Sequence, residues 1–424
     1  MMPTRPCRVE IRTGALEDNY RFLAGLAAPH AELLAIVKAD AYGHSLALCA
    51  PAVVRAGAKW LGVTSVEEGI AARELCQDAR VDPRIGSHID TRILAIAGVF
   101  PGQAAAAIQH RLTPVAWETW QLDELHAAAK AAGVAEPLAV HLEIDTGMSR
   151  QGVAPEQLPQ ALSRFGPASR LKLEGVMTHL FAADEADGET TRAQLTRLDK
   201  TLGRISAAGL FAEWLNVGNS AALLAGEAKT IAELAARHGM KAMLRPGLAL
   251  YGLAPEFDPA LDPAFDPALD PALNQDNPGP PVSALQAAAR AALKPVLAWK
   301  ASVVGVRAVP AGATVGYNGT FVATEPMKLA LAPVGYGDGL DRKLGNRFSL
   351  LVRGQRAPLV GRISMDQSVL DVTEIDGVEA GDEIVILGEQ GAEAITAFDH
   401  ARASETIPWE VFTRIASRVS RIAV

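Results

Sequence analysis

Several residues in this chain combine a reactive side chain with a place where a buried strand gives way to a loop. Lys38 closes an apolar run in the string AIVKADAYGH at Ala35–His44. An ammonium at the end of a buried strand is costly unless it is paired, neutral or used covalently. Two readings are open: a lysine whose stem snorkels to water, or one whose lowered pKa suits it to form a Schiff base. Comparable strand-end positions hold Glu143–Asp145, His179, Asn219–Ser220 and Arg245. Glu143 and Asp145, two apart on one strand, would share a face. An inward carboxylate there needs a partner, and Arg150 a few residues on could supply it. Asn219-Ser220 precedes AALLAG and reads either as a helix N-cap or as part of an anion site; both readings can hold at once. The RPGL string at Arg245–Leu248 offers backbone N–H groups that could meet phosphate oxygens. His179 could equally be a histidine satisfied in the core.

The elements that must position these residues alternate over the first 250 positions. Short apolar runs at Leu33–Lys38, Trp60–Val63, Ile93–Ala97, Thr113–Trp117, Leu138–Ile144, Leu173–Thr178, Glu213–Val217 and Ala242–Arg245 are separated by stretches with helical spacing, such as Val66–Leu75, Pro155–Phe165 and Arg192–Ala208. Strand–helix units at this spacing imply parallel pairing through right-handed crossovers. Eight of them, with no glycine-rich dinucleotide fingerprint after the first, predict an α/β fold with an N-terminal (β/α)8 barrel rather than an open doubly wound sheet. A barrel carries its chemistry at the C-terminal ends of its strands, and the loops after the seventh and eighth form its usual phosphate site. A strand-end lysine beside such a cradle points to pyridoxal phosphate.

From Leu297 the runs become β-branched and glycine-punctuated, at Ala301–Val306, Met327–Ala332, Phe348–Val352, Ser368–Val372 and Glu383–Leu387, which predicts a C-terminal, mostly-β domain over 297–424. The barrel takes 1–250, with residues 1–11 free to join the β-domain instead. Between them, 251–296 is an acidic, proline-rich insert and linker. Its core, FDPALDPAFDPALDPAL at Phe257–Leu273, places proline at every fourth position and so reads as an extended surface loop.

The charge balance, 40 basic against 48 acidic residues for a net −8 with no basic block, argues against nucleic acid or an anionic membrane as partner. No apolar run nears spanning length, and Met1–Ile11 lacks the core of a signal peptide, so a cytoplasmic protein is expected. Cys7, Cys49 and Cys76 show no metal or disulfide spacing, and no metal site is expected.

The string at Ala35–His44 resembles the cofactor-lysine motif of alanine racemases. The resemblance runs on through HLEIDTGMSRQG at His141–Gly152, GVMTHLFAADE at Gly175–Glu185, NVGNSA at Asn216–Ala221 and RPGLALYG at Arg245–Gly252. In the β-domain it continues with VGYNGTF at Val315–Phe321, PVGYGDG at Pro333–Gly339, GRISMDQ at Gly361–Gln367 and TIPWEVFTRIASRV at Thr406–Val419. The motifs follow in order across nearly the whole chain. What the resemblance implies is a homodimer with sites shared between subunits, racemising a small amino acid on pyridoxal 5′-phosphate.

Residue by residue, Lys38 is similar to the family's cofactor lysine and first base, and Tyr317 to the second base, reaching in from the other subunit. A phenol titrates near 10, too high for an efficient base at neutral pH, so donors and cations must lower it. His179 and Arg245 resemble that chain. Arg245 also resembles the arginine at the pyridine nitrogen, which can only donate, so the ring withdraws charge less and reprotonation at Cα is favoured. Arg150 matches the residue at the cofactor's phenolic oxygen and the substrate carboxylate. Tyr42, Ser220, Gly247 and Leu248 match the phosphate contacts. Met365 and Asp366 match residues beside the substrate carboxylate, and Asp184, Tyr336, Arg342 and Arg362 an entryway.

Two departures stand out. Trp409 occupies a phosphate-contact position where tyrosine is common, and its indole N–H can still donate. Glu143 stands where many relatives carry a carbamylated lysine, and would hold Arg150 with an unmodified charge. The implied activity is alanine racemisation supplying D-alanine for peptidoglycan. Rivals are a serine or broader-specificity racemase, a decarboxylase of the same barrel family (disfavoured by Arg245), and a non-catalytic pyridoxal phosphate carrier protein (disfavoured by the second domain). The GYGDG string is read as a turn rather than a nucleotide loop.

Overall fold

The computed structural model describes residues 5–78, 91–185, 188–254 and 284–424. After β1 (Cys7–Ile11), eight parallel strands close into a barrel: β2 (Ala31–Ile36), β3 (Trp60–Val63), β4 (Arg92–Ala95), β5 (Thr113–Ala116), β6 (Leu138–Glu143), β7 (Leu171–Met177), β8 (Trp214–Asn216) and β9 (Lys241–Leu244), with β9 pairing back onto β2. Several of these strands are buried on both faces, as in WLGV of β3 and TPVA of β5, because helices cover the outside and side chains fill the inside. The predicted barrel is therefore the fold, with each strand within two residues of its apolar run. One expected helix is shorter than its pattern: only Leu158–Leu162 of Pro155–Phe165 is helical, since proline lacks an N–H and starts a helix rather than continuing it.

At the N-terminal end the barrel is closed by an aromatic and ionic plug. Arg92 gives two hydrogen bonds to Glu174, at 2.9 and 2.6 Å, and its guanidinium lies 4.1 Å from the centre of the Trp60 ring. The His141 ring packs so closely on Gly175 that an added Cβ would lie 2.5 Å from it. That end is filled for stability, which leaves the opposite rim for chemistry.

The C-terminal part comprises β10 (Leu297–Ser302), β11 (Gly305–Val309), β12 (Thr314–Val315), β13 (Phe321–Val322), β14 (Met327–Ala332), β15 (Ser349–Val352), β16 (Gln355–Pro358), β17 (Ser368–Asp371), β18 (Glu383–Gln390), β19 (Glu393–Ile395) and β20 (Ser420–Ala423), with helices at Ala397–Ser404 and Pro408–Arg414. The largest sheet runs β16-β15-β18-β10-β1-β20. β1 pairs antiparallel with β10 and parallel with β20, so the chain's first strand is built into the C-terminal sheet, Cys7, Val9 and Ile11 facing the core. The run Ala301–Val306 is two strands rather than one. The chain changes sheets there: Val303 N–H bonds Asp382, beside β18, and Val304 N–H bonds Leu331 of β14. The Asp-Pro-Ala repeat lies outside the described residues. Among those described, no helix is long and apolar enough to cross a membrane.

Candidate active site

The strand ends bring most of the expected barrel residues onto one rim. Lys38 follows β2 by two residues, His179 follows β7 by two, and Arg245 directly follows β9. Beyond Lys38 the backbone turns left-handed: Ala39, Asp40, Ala41 and Tyr42 have φ between 51° and 56°, a conformation costing of order 1 kcal/mol per non-glycine residue. Side chains from three directions hold it. Glu68, on the helix Val66–Asp78, accepts from Ala39 N–H and Thr64 N–H, both at 2.7 Å. Asp40 accepts from Leu46 N–H at 2.6 Å, and Gly43 packs so tightly that a Cβ would lie 2.4 Å from the Phe412 carbonyl. His44 is wedged between Tyr251 and Phe412, with ring centres 4.4 and 4.8 Å away. Burial lowers its pKa to about 4, so it packs as a neutral ring.

Arg245 is buried and pinned. One Nη donates to the carbonyl and side-chain oxygens of Asn216 at 2.6 and 2.7 Å; the other donates to Thr178 O at 2.9 Å and to His179 Nδ1 at 3.2 Å. Accepting at Nδ1 fixes His179 as the tautomer with its proton on Nε2. Burial, then the charges of Arg245, Arg150 and Lys38, lowers the His179 pKa to about 3. Burial also brings Arg245 down to about 10, which leaves it protonated at neutral pH. The Lys38 amine is lowered by burial and then by Arg150 and Arg245.

Beside this cluster Ser220 Oγ accepts from Gly247 N–H at 2.9 Å and Ala249 N–H at 3.2 Å, which leaves its own proton free to donate. Asn219 caps the following turn through Ala222 N–H, so the N-cap reading holds. A Cβ on Gly247 would lie 2.4 Å from the Tyr42 hydroxyl. Glycine thus keeps a cradle open between the Ser220 turn, the Gly247–Leu248 backbone and the Tyr42 phenol. The helix Pro408–Arg414, with half-buried Trp409, packs against the Lys38–Tyr42 turn.

Glu143 differs from expectation. It is buried at the end of β6, but its carboxylate accepts from Gln151 rather than from Arg150, which is exposed and makes no direct pair with it. Asp145 turns away to accept from Gly147 and Ser149 N–H. The loop reverses just past the strand, with Val153 N–H bonding back to Glu143 O, and this return brings Gln151 inward. Arg150 still acts on the cluster through its charge, at Lys38 and His179.

The remaining expected residues form a second group on the β-domain. Tyr317 is 68% exposed and Met365 53%, and Tyr336, Arg342, Arg362 and Asp366 share their exposure. Arg342 and Arg362 line one groove. Asp184 stands apart from them, exposed on the barrel loop after β7. Among the described residues no hydrogen bond or ion pair joins Tyr317, Met365 or Asp366 to Lys38, His179 or Arg245.

Residues 11–255 match the profile of the alanine racemase N-terminal domain and residues 296–423 that of the C-terminal domain. The chain belongs to the alanine racemase family. It is thus an isomerase by family. An alanine racemase of Halothermothrix orenii is 34% identical over 419 residues, covering 99% of this chain and 97% of the relative. The crystal structure of alanine racemase from Streptomyces lavendulae, 33% identical, superposes with a TM-score of 0.80 over 100% of this chain and 98% of that one. The Bartonella henselae alanine racemase, solved with covalently bound pyridoxal phosphate, has the same fold at a TM-score of 0.77 and 24% identity, each chain covered in full.

Two substitutions probe this racemase-family rim. Glu68→Ala should lower turnover about tenfold, the effect of stranding donors once held by a charged acceptor. Glu68→Gln should fall between, since an amide offers one acceptor where two N–H groups compete. Wild-type turnover in both would show that the turn needs no bolt.

The second is Glu143→Gln. Burial raises the Glu143 pKa against the pull of Gln151, Arg245 and Arg150. A carboxyl with a raised folded pKa favours the fold at low pH and loses that advantage as pH rises above its ordinary 4.5 through the folded value. The neutral amide should therefore melt about 2 °C above wild type at pH 8 and level with it at pH 4. Turnover should drop several-fold as Arg245 and Arg150 lose a counter-charge. A lower melting temperature than wild type at pH 8 would refute the buried-charge argument.

Proposed function

We propose that the chain interconverts L- and D-alanine on pyridoxal 5′-phosphate held at the barrel rim, as a homodimer whose sites each draw on both subunits. What carries this reading is the convergence, on one rim, of a half-buried lysine, a pinned arginine able only to donate, and the Ser220–Gly247–Tyr42 cradle. The residues suit that group chemically. The Ser220 hydroxyl and the backbone about Gly247 and Leu248, with Tyr42 and Trp409, supply donors for a phosphate. The Lys38 amine would hold the aldehyde carbon, Arg245 the ring nitrogen and Arg150 the phenolic oxygen. Asn216 Nδ2, buried and without a partner among the described residues, is a further donor at this end of β8. When bound, the group supplies an electron-withdrawing ring that acidifies the substrate's Cα–H.

The chain's own residues do the rest. Lys38, its pKa lowered, carries more free amine near neutrality than an exposed lysine and so suits proton transfer at one face of Cα. Arg245, gripped by Asn216, Thr178 and His179, presents a donor without releasing its proton. His179, held neutral, offers Nε2–H as the next donor in line. Tyr317 would serve the opposite face from the partner subunit. Its exposure, with that of Met365 and Tyr336, supports a face made to be covered.

The D-alanine formed would feed bacterial cell-wall peptide synthesis. The same reading has the enzyme act in the cytoplasm. The test is racemisation across a panel of L-amino acids with the D-product measured directly. Alanine should turn over fastest. Serine at an equal rate would favour the broader racemase, and no alanine turnover would overturn the proposal.

A further inference from the structure

The PVGYGDG string carries an acidic residue that lies away from the barrel rim and under the exposed face of the β-domain. Asp338 is completely buried, yet it is charged and sits in a short turn of the β-domain. Its carboxylate accepts from three donors in three parts of the chain. Oδ2 takes the Gly335 N–H at 2.9 Å and an Nη of Arg5; Oδ1 takes the Arg418 Nε at 2.8 Å. Its backbone carbonyl takes the Ala416 N–H at 2.9 Å. A fully buried carboxylate is tolerated only when its oxygens are so satisfied, and removing one partner leaves the others stranded.

Arg418 passes the constraint outward. While Nε holds Asp338, its Nη2 donates to Asp366 Oδ1 at 2.8 Å and approaches Met365 O at 3.4 Å. The loop bearing Met365 and Asp366 is also laced to the Asp338 turn by backbone bonds: Tyr336 N–H to Ser364 O at 3.0 Å and Gly337 N–H to Met365 O at 2.8 Å. The glycines permit this closeness. A Cβ on Gly335 would lie 2.2 Å from Ser364 O, and one on Gly337 2.7 Å from Arg418 Nη2. Tyr336, Met365 and Asp366 are thus one rigid surface hung from a buried anion, and that surface is exposed in the single chain.

We propose that Asp338 and Arg418 are positioning residues, which fix the Tyr336–Met365–Asp366 face in the arrangement it presents to the partner subunit's barrel. This rests on the two-subunit reading of the site. Arg418 acts through Asp366 and touches no reacting atom, so its loss should raise KM for alanine more than it lowers kcat. An Arg–carboxylate fork gives direction as well as charge, which a lysine reproduces only in part.

The experiment uses the full-length holoenzyme and mixed dimers. Arg418→Gln should raise KM roughly tenfold or more, the effect of a lost charge-assisted bond. Arg418→Lys should recover part of it. The melting temperature should fall for Arg418→Gln, because buried Asp338 loses one of its partners, and fall less for Arg418→Lys, so KM is compared well below both transitions. In a double-mutant cycle, Asp366→Asn added to Arg418→Gln should cost far less than it does alone.

Mixed dimers separate this inference from the reading beneath it. Lys38→Ala with Tyr317→Phe is the control, and recovery of activity there supports a shared site. Arg418→Gln should then regain wild-type KM when mixed with Lys38→Ala subunits, and should gain nothing from Tyr317→Phe subunits, whose lesion is on the same face. If the control recovers and the Arg418→Gln mixture with Lys38→Ala does not, the lesion is not on the presented face and the proposal falls. If the control itself fails, the shared site falls first and the proposal with it. Additive effects in the Arg418–Asp366 cycle would also overturn it.

Discussion

Lys38→Ala should lower racemisation by roughly 10⁴-fold or more, since on the proposed reading one side chain would serve as both general base and covalent anchor. The structure leaves little room for a substitute. Lys59, Lys241, Lys294, Lys300 and Lys343 are tied to carboxylates far from the rim. Among the described residues Lys38 has no carboxylate ion-pair partner, and burial, then Arg150 and Arg245, lowers its pKa. Borohydride reduction of the holoenzyme, followed by peptide mapping, should find the pyridoxyl label on residue 38. The label should be absent from the alanine variant, whose fold should persist because a half-buried amine is lost rather than a core contact. A label on any other lysine of the wild type would move the active site elsewhere.

The strand ends were legible because a barrel writes itself as short apolar runs, and a polar residue closing such a run is anomalous. That logic isolates Lys38, His179 and Arg245 from the sequence, and Ser220 and Gly247 follow from the loops after the last two strands. Glu68 left no such trace. It caps two backbone N–H groups, and nothing in VEEGIAAREL marks which glutamate will face a turn 29 residues away. The left-handed run at Ala39–Tyr42 was equally hidden, since alanine and tyrosine disfavour it and the Glu68 bond that helps hold it comes from 29 residues away. Glu143 shows the opposite error. A charge-pairing rule nominates Arg150, but the loop's return bond at Val153 swings its neighbour Gln151 into place. Asp338 lies in the GYGDG string, which reads as a turn, and nothing in that string shows that Gly335 and Gly337 let Ser364, Met365 and Arg418 come close.

Tyr317→Phe should cost roughly 10²–10⁴ in rate, the range for losing a general acid or base, with little change in stability. The geometry makes the substitution clean. Tyr317 opens a tight turn whose shape is set by Gly316 at φ 75° and Asn318 at φ 61°. A Cβ on Gly316 would lie 2.9 Å from Arg362 N, so backbone packing rather than the phenol holds the turn in place. At 68% exposure the side chain has no packing task in its own subunit. An exposed phenol is a poor base near neutral pH. If it works as one, its surroundings must come from elsewhere, and the His179 Nε2–H, aligned by Arg245, is the donor the barrel rim offers. The loss should therefore be one-sided. In deuterated water, exchange at Cα should survive for the enantiomer whose proton Lys38 removes and collapse for the other. Symmetric, unchanged exchange from both enantiomers would show that the phenol carries no proton. Equal loss from both would point to a binding role instead, because a missing contact does not distinguish the two faces of one carbon.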